Sequence, residues 1–337
     1  MRWLIRFFVS IALIVGLLGG IAWQQYQQFL TTPLKTGNAG YVYTIKPGSH
    51  LLQISRELSQ AGLTDFPPFY FYLYGRYKHQ AQFIKAGEYR IMPGTTFPQL
   101  LDQFVAGKVI QYALTIIEGI TAKTLLTQIK RDKHLISTLK TGTLAEVMHQ
   151  LGESDHYGEG EFLPETYYFP AGTTDIQLLS RAHRALWAVL NQEWTQRAKG
   201  LPYQSPYEAL IMASIIEKET ALAQERAQIA GVFVRRLKKG MRLQTDPTVI
   251  YGLGDQYDGN IRRKDLRKDT PYNTYTRSGL PPTPIALPSR ASIIAALHPA
   301  PGNSLYFVAT GEGGRHVFSD TLAAHNRAVR KYQLKQK

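Results

Sequence analysis

Cysteine is absent from the 337 residues. That removes thiolate nucleophiles, disulfides and thiolate-bound zinc together. The absence is compatible with either side of a membrane, because a chain of this length buries enough core to fold without covalent staples. Acidic residues are also in short supply: Asp and Glu number 25 against 39 Lys and Arg, a formal net charge of +14. Such a balance favours anionic partners, whether nucleic acid, an anionic membrane surface or a cell-wall glycan bearing lactyl-peptide carboxylates. The alternating basic and aromatic residues of RNA-recognition strands are missing, and so is zinc-finger spacing, so no nucleic-acid partner is expected. The basic run Arg262-Arg263-Lys264-Asp265-Leu266-Arg267-Lys268 lies among turn residues and reads as a solvated loop. Glycine (28) and proline (18) are ordinary in number, which excludes a collagen-like or low-complexity chain. Apolar residues at 44% and charged residues at 19% exclude wholesale disorder.

Charge is missing altogether from one stretch, Phe7 to Trp23, preceded by Arg2 and Arg6 and followed by Gln24-Gln25-Tyr26-Gln27-Gln28. Such a run makes about 25 Å of helix, at the short edge of a bilayer span. Trp3, Trp23 and Tyr26 stand where interfacial aromatics lie, and the arginines place the N-terminus in the cytoplasm. A cleaved signal peptide is the competing reading, since Gly20-Ile21-Ala22 offers a small-x-small site. The apolar run continues past that site into an aromatic belt, which favours an uncleaved single-pass anchor in the inner (plasma) membrane. Both readings export the rest of the chain. The expected organisation is a cytoplasmic tip (1–6), an anchor (7–26), a polar tether (27–40), a small module (41–112) and a larger domain (113–337), in an α+β fold class.

The tether reading rests on Pro33, Gly37 and Gly40, with ordered structure starting near Tyr41. Beyond it, Thr44-Ile45-Lys46-Pro47-Gly48, Arg90-Ile91-Met92-Pro93-Gly94 and Thr115-Ile116-Ile117-Glu118-Gly119 share a strand-then-glycine pattern. Apolar residues recur after each glycine with helical four-residue spacing: Ile54 and Leu58, Leu100 and Phe104, Leu125 and Ile129. Each unit therefore predicts a short strand, a glycine turn and an amphipathic helix. The first resembles a LysM carbohydrate-binding repeat, and a packing module that binds no sugar would match equally. From Thr141 to Gly200 the pattern is mostly helical, interrupted at Glu159-Gly160-Glu161-Phe162-Leu163-Pro164-Glu165-Thr166-Tyr167-Tyr168. That loop or short strand combines carboxylates and aromatics, as sugar-binding clefts do.

Ser205-Pro206-Tyr207-Glu208 predicts a helix start with a capping box. The pattern runs to Lys239 and Gly240, too long for one globular helix, so two helices broken near Thr220 to Glu225 are expected. Glu217 and Glu219 in the first would point about 200° apart. On that geometry they do not form a catalytic pair. Glu217 shares its face with Ala213, Ser214, Thr220 and Ala221, which leaves room for a ligand. Glu219 shares its face with Ile215, Ile216 and Leu222, where burial would raise its proton affinity. The residues alone leave open which carboxylate is chemical. Downstream, Gln244-Thr245-Asp246 lies in a polar loop, and Tyr272-Asn273-Thr274-Tyr275 precedes the rigid Gly279-Leu280-Pro281-Pro282. Tyrosines give flat faces for pyranose rings, and Asn, Thr and Gln satisfy hydroxyls and acetamido groups. Leu305 to Ala309 predicts a buried strand, and Gly311 to Phe318 a hairpin. His298, His316 and His325 lack the close pairing of zinc peptidases, so no metal and no cofactor is expected.

Ala213-Ser-Ile-Ile-Glu-Lys-Glu-Thr220, Arg242-Leu-Gln-Thr-Asp-Pro-Thr-Val-Ile-Tyr251, Tyr272-Asn-Thr-Tyr275, Gly279-Leu-Pro-Pro282, His298-Pro299, Tyr306-Phe-Val308 and His316-Val-Phe318 follow in order. Together they resemble the YceG-like (MltG) family of endolytic murein transglycosylases, from the anchor to His325-Asn326. The resemblance implies that Glu217, the first glutamate of Glu-Lys-Glu, is catalytic. It implies that Gln244, Thr245, Asp246, Tyr272 and Asn273 line a glycan cleft, with Tyr275 as a further aromatic neighbour. Thr283 and Leu287 depart from the family's glycine and asparagine, which bears on the loop shape there. A lytic transglycosylase uses one carboxyl group: Glu217 protonates the oxygen between N-acetylmuramic acid and N-acetylglucosamine, then accepts the proton of the muramyl C6 hydroxyl as a 1,6-anhydro ring closes. A neutral Glu217 would need desolvation, with Tyr272 or Tyr275 nearby. The alternatives are a muramidase using Asp246 as second carboxylate and a non-catalytic wall-binding scaffold. If the enzyme ends nascent strands, a peptidoglycan synthase is implied as partner.

Overall fold

The computed structural model describes residues 2–334. It is a mixed α+β structure that divides into two units, Met1–Tyr112 with Phe169–Gly172, and Ala113–Tyr168 with Thr173–Lys337. In chain order the elements are α1 (Arg2–Thr31), β1 (Tyr41–Ile45), α2 (Leu51–Gln60), α3 (Pro68–Tyr77), β2 (Gly87–Ile91), α4 (Phe97–Ala106), β3 (Gln111–Thr115), α5 (Ala122–Arg131), α6 (Leu144–Leu151) and β4 (Thr166–Pro170). There follow α7 (Asp175–Thr195), α8 (Pro206–Glu219), α9 (Ala223–Lys238), α10 (Asp246–Leu253), α11 (Arg263–Arg267), α12 (Arg290–Leu297), β5 (Tyr306–Ala309), β6 (His316–Ser319) and α13 (Leu322–Tyr332).

The first unit is built from the repeated strand–glycine–helix pattern. β1 and β2 pair antiparallel, Tyr43 opposite Tyr89, and turn Tyr43, Ile45, Tyr89 and Ile91 inward. Ile54 and Leu58 from α2 and Leu100 and Phe104 from α4 are fully buried against them. The glycines at 48, 94 and 119 all have positive φ, which a residue with a Cβ adopts only at a cost. In the third strand–glycine–helix repeat, which belongs to the second unit, Leu125 and Ile129 are buried as the spacing predicts.

Residues 27–40 are not a free tether. α1 continues to Thr31, and Phe29, with none of its surface exposed, stacks on Phe97 at 4.7 Å. Leu34 is buried too, and the backbone N–H groups of Leu34 and Lys35 donate to Thr95 and Leu63 carbonyls. The polar composition of this segment concealed two large apolar anchors, each enough to hold the chain down. Ile5–Thr31 is long and apolar enough to cross a membrane, and none of its apolar window is buried.

The second unit is organised around α8. Every residue from Ala209 to Ile216 is buried, which fits a helix apolar on all sides. α7 and α9 pack on it, α12 lies along it, and Leu186, Leu190, Phe233, Ile293 and Leu297 join one core with it. Ser205 caps α8 by accepting the Glu208 N–H, but the Glu208 carboxylate accepts from Gln204, so the box is half formed. α8 stops at Thr220, whose extended backbone and hydroxyl, accepting the Leu222 N–H, turn the chain into α9. At the C-terminal end β5 and β6 pair antiparallel. Only Val308 of β5 is buried, so this strand is half-exposed rather than a core strand.

Candidate active site

Glu217 lies in the last turn of α8, and α12 begins beside it. Ser289 is the N-cap of α12: its hydroxyl accepts the Ser292 N–H. Three donors converge on Oε2 of Glu217: the Ser289 N–H at 2.9 Å, the Ser289 hydroxyl at 2.5 Å and the Ser292 hydroxyl at 2.7 Å. The carboxylate thus occupies the anion-accepting start of a helix, where free N–H groups and the helix dipole both attract negative charge. Its other oxygen, Oε1, faces Arg226 of α9 at 3.7 Å, and the Glu217 side chain is only 6% exposed. The buried Nε of Arg226 has no protein partner. One oxygen is therefore fixed by three donors, while the other faces the Arg226 guanidinium at ion-pair distance.

Both Glu217 and Arg226 line an open cavity of about 720 Å³. Its other walls come from Thr115–Gly119, which carries Glu118, from Pro164-Glu165-Thr166, and from Lys218 to Ala221. Lys218 donates to the Gly119 carbonyl and ties the loop to the helix end. Glu219 lines the same cavity. The two carboxyls nevertheless take separate partners, Ser289, Ser292 and Arg226 for Glu217 and Thr245 for Glu219, as the expected opposite faces require. The helix ends at Glu219, and the cavity lies against that end, so consecutive residues of the last turn line it.

The half-buried Glu219 accepts the hydroxyl of Thr245. Burial pushes its carboxyl up to about 7, the Thr245 hydrogen bond pulls it down, Asp246 pushes it further up and Arg236 opposes. Asp246 accepts the Tyr275 hydroxyl at 2.6 Å. Thr245, Asp246 and Tyr275 are thus brought together around Glu219, while all three lie outside the lining of the cavity. Gln244 is exposed with a left-handed φ of 51°, its N–H donating to the Thr274 carbonyl.

Tyr272 lies elsewhere. Its hydroxyl pairs with Thr283, and its ring meets Tyr251 edge-on at 4.8 Å. Both tyrosines line a second cavity of about 990 Å³ with Glu159, Lys123 and Asp255. Glu159 is buried there, accepting the Ala122 N–H and the Tyr251 hydroxyl; burial pushes its carboxyl up and these bonds oppose that. Gly119 lines the first cavity and Thr121 the second, so a single bend of chain separates the two. The expectation that Tyr272 or Tyr275 sits against Glu217 is not met, since Ser289, Ser292 and Arg226 hold that place.

Asn273 is not a cleft residue. It is 1% exposed; its amide N–H₂ donates to the carbonyls of Asp265, Leu266 and Lys268, and its carbonyl accepts the Tyr275 N–H. The side chain holds the α11 loop and has no capacity left for sugar. Asn273→Ala is expected to cost about 2 kcal/mol of stability, read as a lowered Tm, with KM for glycan unchanged in the surviving folded enzyme. Thr283 and Leu287 are both accommodated: Thr283 bonds Tyr272, and Leu287 exchanges backbone hydrogen bonds with Gly119 and Ile120.

Ser289, Ser292 and Arg226 were not singled out from sequence. Leu287-Pro288-Ser289 before an apolar run is an N-cap signal for Ser289, but nothing local pairs it with Glu217. Among the described residues, three metal-ligating groups converge at His156, Glu161 and His183. The Trp187 indole N–H lies among them, donating to Glu161 at 3.2 Å and to His183 Nε2 at 3.1 Å. The three groups are thus tied to one another and to Trp187 by hydrogen bonds. His316 is paired with Glu225 at 2.7 Å, and His325 stacks on Tyr306.

Residues 43–331 match the model of the YceG-like family. The chain belongs to the YceG-like family. It is 34% identical over 283 residues to the endolytic murein transglycosylase of Bacillus subtilis, covering 78% of this chain and 76% of that one. It is 28% identical to the endolytic murein transglycosylase of Streptococcus pneumoniae, covering 96% of this chain and 64% of that longer protein. A crystal structure of a yceG-like protein from Listeria monocytogenes superposes with a TM-score of 0.55 at 31% identity, covering 86% of this chain and 99% of that one. The YceG-like match includes all of α8 and α12, the two helices that build the Glu217 site.

Proposed function

We propose that this chain is a membrane-anchored endolytic murein transglycosylase, a lyase that cuts the bond between N-acetylmuramic acid and N-acetylglucosamine with Glu217 as its catalytic acid and base. The observation that carries this reading is the asymmetric carboxyl of Glu217, with Oε2 held by three donors and Oε1 turned to an open cavity beside Arg226. Oε1 delivers a proton to the leaving glycosidic oxygen and takes one back from the muramyl C6 hydroxyl, which closes onto the anomeric carbon. The C1–O bond to the leaving sugar breaks, the C1–O6 bond forms, and no water is consumed. The Arg226 guanidinium, beside Oε1 and on the cavity lining, supplies positive charge for a carbonyl or carboxylate of the substrate near the reacting bond.

The same reading gives the remaining features their roles. Tyr272 and Tyr251 form a sugar platform in the second cavity, so that one strand engages both sides of the Gly119–Thr121 bend. Thr245, Asp246, Tyr275 and Gln244 set the state of Glu219 and the rim near it. The apolar helix anchors the chain in the inner membrane with its N-terminus in the cytoplasm and the rest outside. The β1–α2 unit serves as a LysM-like glycan-binding module. An enzyme so anchored acts on strands as they emerge, beside a peptidoglycan synthase, and ends their elongation.

A muramidase is the second reading, favoured by one observation: Glu219 lines the cavity with Glu217 and is able to assist a water. Asp246, the second carboxylate considered from sequence, is bonded to Tyr275 and lies outside that lining. Digestion of uncrosslinked glycan strands, with products read by mass, separates the two. Transglycosylation leaves anhydro ends lighter by one water than hydrolytic products. Full-mass reducing ends would replace the proposal with the muramidase reading.

A further inference from the structure

α3 is apolar all round: Pro68-Phe69-Tyr70-Phe71-Tyr72-Leu73-Tyr74-Gly75-Arg76-Tyr77. A helix of this kind needs apolar surroundings on more than one side. One side is supplied by the first unit's core, where Phe71, Tyr74 and Gly75 are buried. The other side has no cover: Phe69, Leu73 and Tyr77 are 51%, 55% and 74% exposed. Their four-residue spacing makes one continuous stripe along the helix. Arg76 and Lys78 are exposed at its C-terminal end.

The position of this stripe along α1 bears on what covers it. The hydroxyl of Tyr70, next to Phe69, donates to Gln25 of α1 at 2.8 Å. Phe66, just before α3, packs edge-on against Phe29 at 5.7 Å. Gln25 is two residues beyond Trp23, the last residue of the uncharged run, and Phe29 is six beyond it. At the helical rise these are about 3 Å and 9 Å. The headgroup layer on each side of a bilayer is roughly 5–8 Å thick, so Gln25 falls within it and Phe29 at its outer edge. α1 is continuous through this stretch, so the start of α3 is joined to the apolar run by an unbroken helix and not by a flexible leash.

We infer that α3 is a second membrane element, which seats Phe69, Leu73 and Tyr77 in the interface of the bilayer that α1 spans, with Arg76 and Lys78 against anionic headgroups. The inference rests on the reading of α1 as an anchor. Interfacial helices carry aromatic and leucine residues on the buried side and basic residues at the edge, as α3 does. The consequence is that the first unit has a defined face toward lipid.

The absence of native cysteine makes the test direct. Single cysteines are placed in the full-length protein at Phe69, Leu73 and Tyr77, at Val15 within the apolar run, and at exposed Gln53 on α2. Each carries an environment-sensitive fluorophore, and the protein is reconstituted in phosphatidylcholine–phosphatidylglycerol liposomes. The expected result is blue-shifted emission at 69, 73 and 77, quenched several-fold more strongly by spin-labelled lipid than by iodide. Gln53→Cys shows the reverse, and Val15→Cys is quenched by lipid alone. Iodide quenching at 69, 73 and 77 as strong as at 53, with Val15→Cys still lipid-quenched, would overturn the inference and leave the anchor intact. A shift seen in native membranes but not in liposomes would overturn it in favour of a protein partner. Iodide access to Val15→Cys would show that the anchor reading itself had failed and take the inference with it.

Discussion

Replacing Glu217 with glutamine is expected to lower glycan cleavage by roughly 10³-fold, the range in which a positioned acid/base acts. The replacement keeps size and hydrogen-bonding reach, but the amide neither donates an acidic proton nor takes one back. Ser289 and Ser292 can still donate to its carbonyl oxygen, so the helix ends stay in place. The measurement is kcat on uncrosslinked strands, with Tm recorded in parallel. A Tm within a few degrees of the parent together with the lost rate assigns the loss to chemistry. A rate within tenfold of the parent would remove Glu217 from the centre of the mechanism and put Glu219 there. Binding of strands to Glu217→Gln should survive, which also separates an enzyme from a scaffold, because a scaffold would show no cleavage in either form.

The second large effect concerns Glu219. Its carboxyl ordinarily titrates near 4.5, and in the fold it is pushed to about 7, burial being the main cause. A carboxyl whose folded value lies above its unfolded one binds protons more tightly when folded. Its contribution is fully present below the unfolded value and is lost as the pH rises through the folded value. Stability should therefore decline between about pH 4.5 and 7 by a few kcal/mol on account of this residue. Glu219→Gln, which stays neutral and can still accept from Thr245, removes that decline. Urea unfolding of the soluble part at pH 5 and pH 7.5 gives the comparison. The parent is expected to lose stability between the two and the variant to lose distinctly less. Equal slopes would mean that the carboxyl is ionised throughout. The activity profile supplies a second readout: if Glu219 must hold a proton while the strand is cut, the alkaline limb of kcat moves in the variant.

How much of this was legible in sequence varies with the range of the interaction. The strand–glycine–helix units were readable because each is local: a β run, a left-handed glycine and a four-residue apolar spacing suffice to place Ile54, Leu100 and Leu125 in cores. The break between α8 and α9 was readable for the same reason. α10 was missed, although Thr245-Asp246-Pro247 is a helix start with proline at the first helical positions; its polar opening read as loop. In the segment from 27 to 40 composition and structure diverge, because a single phenylalanine outweighs several glutamines once it finds a core. The site itself divides in the same way. Glu217 was reached by resemblance, whereas Ser289, Ser292 and Arg226 lie 72, 75 and 9 residues from it, and no spacing rule links them. Asn273 shows the converse error, in which a polar residue suited to sugar is used up by three backbone carbonyls.

The hydroxyl of Ser289 has two employers. It accepts the N–H that starts α12, and it donates to the carboxyl of Glu217. Selection for a sturdier fold and selection for a faster enzyme consequently act on one oxygen atom, and neither can drift without the other. Threonine is the one exchange that keeps both bonds, while alanine uncaps a core helix and frees the carboxyl in the same step. Heat tolerance and turnover should therefore rise and fall together in libraries varied at this position, against the usual opposition between the two.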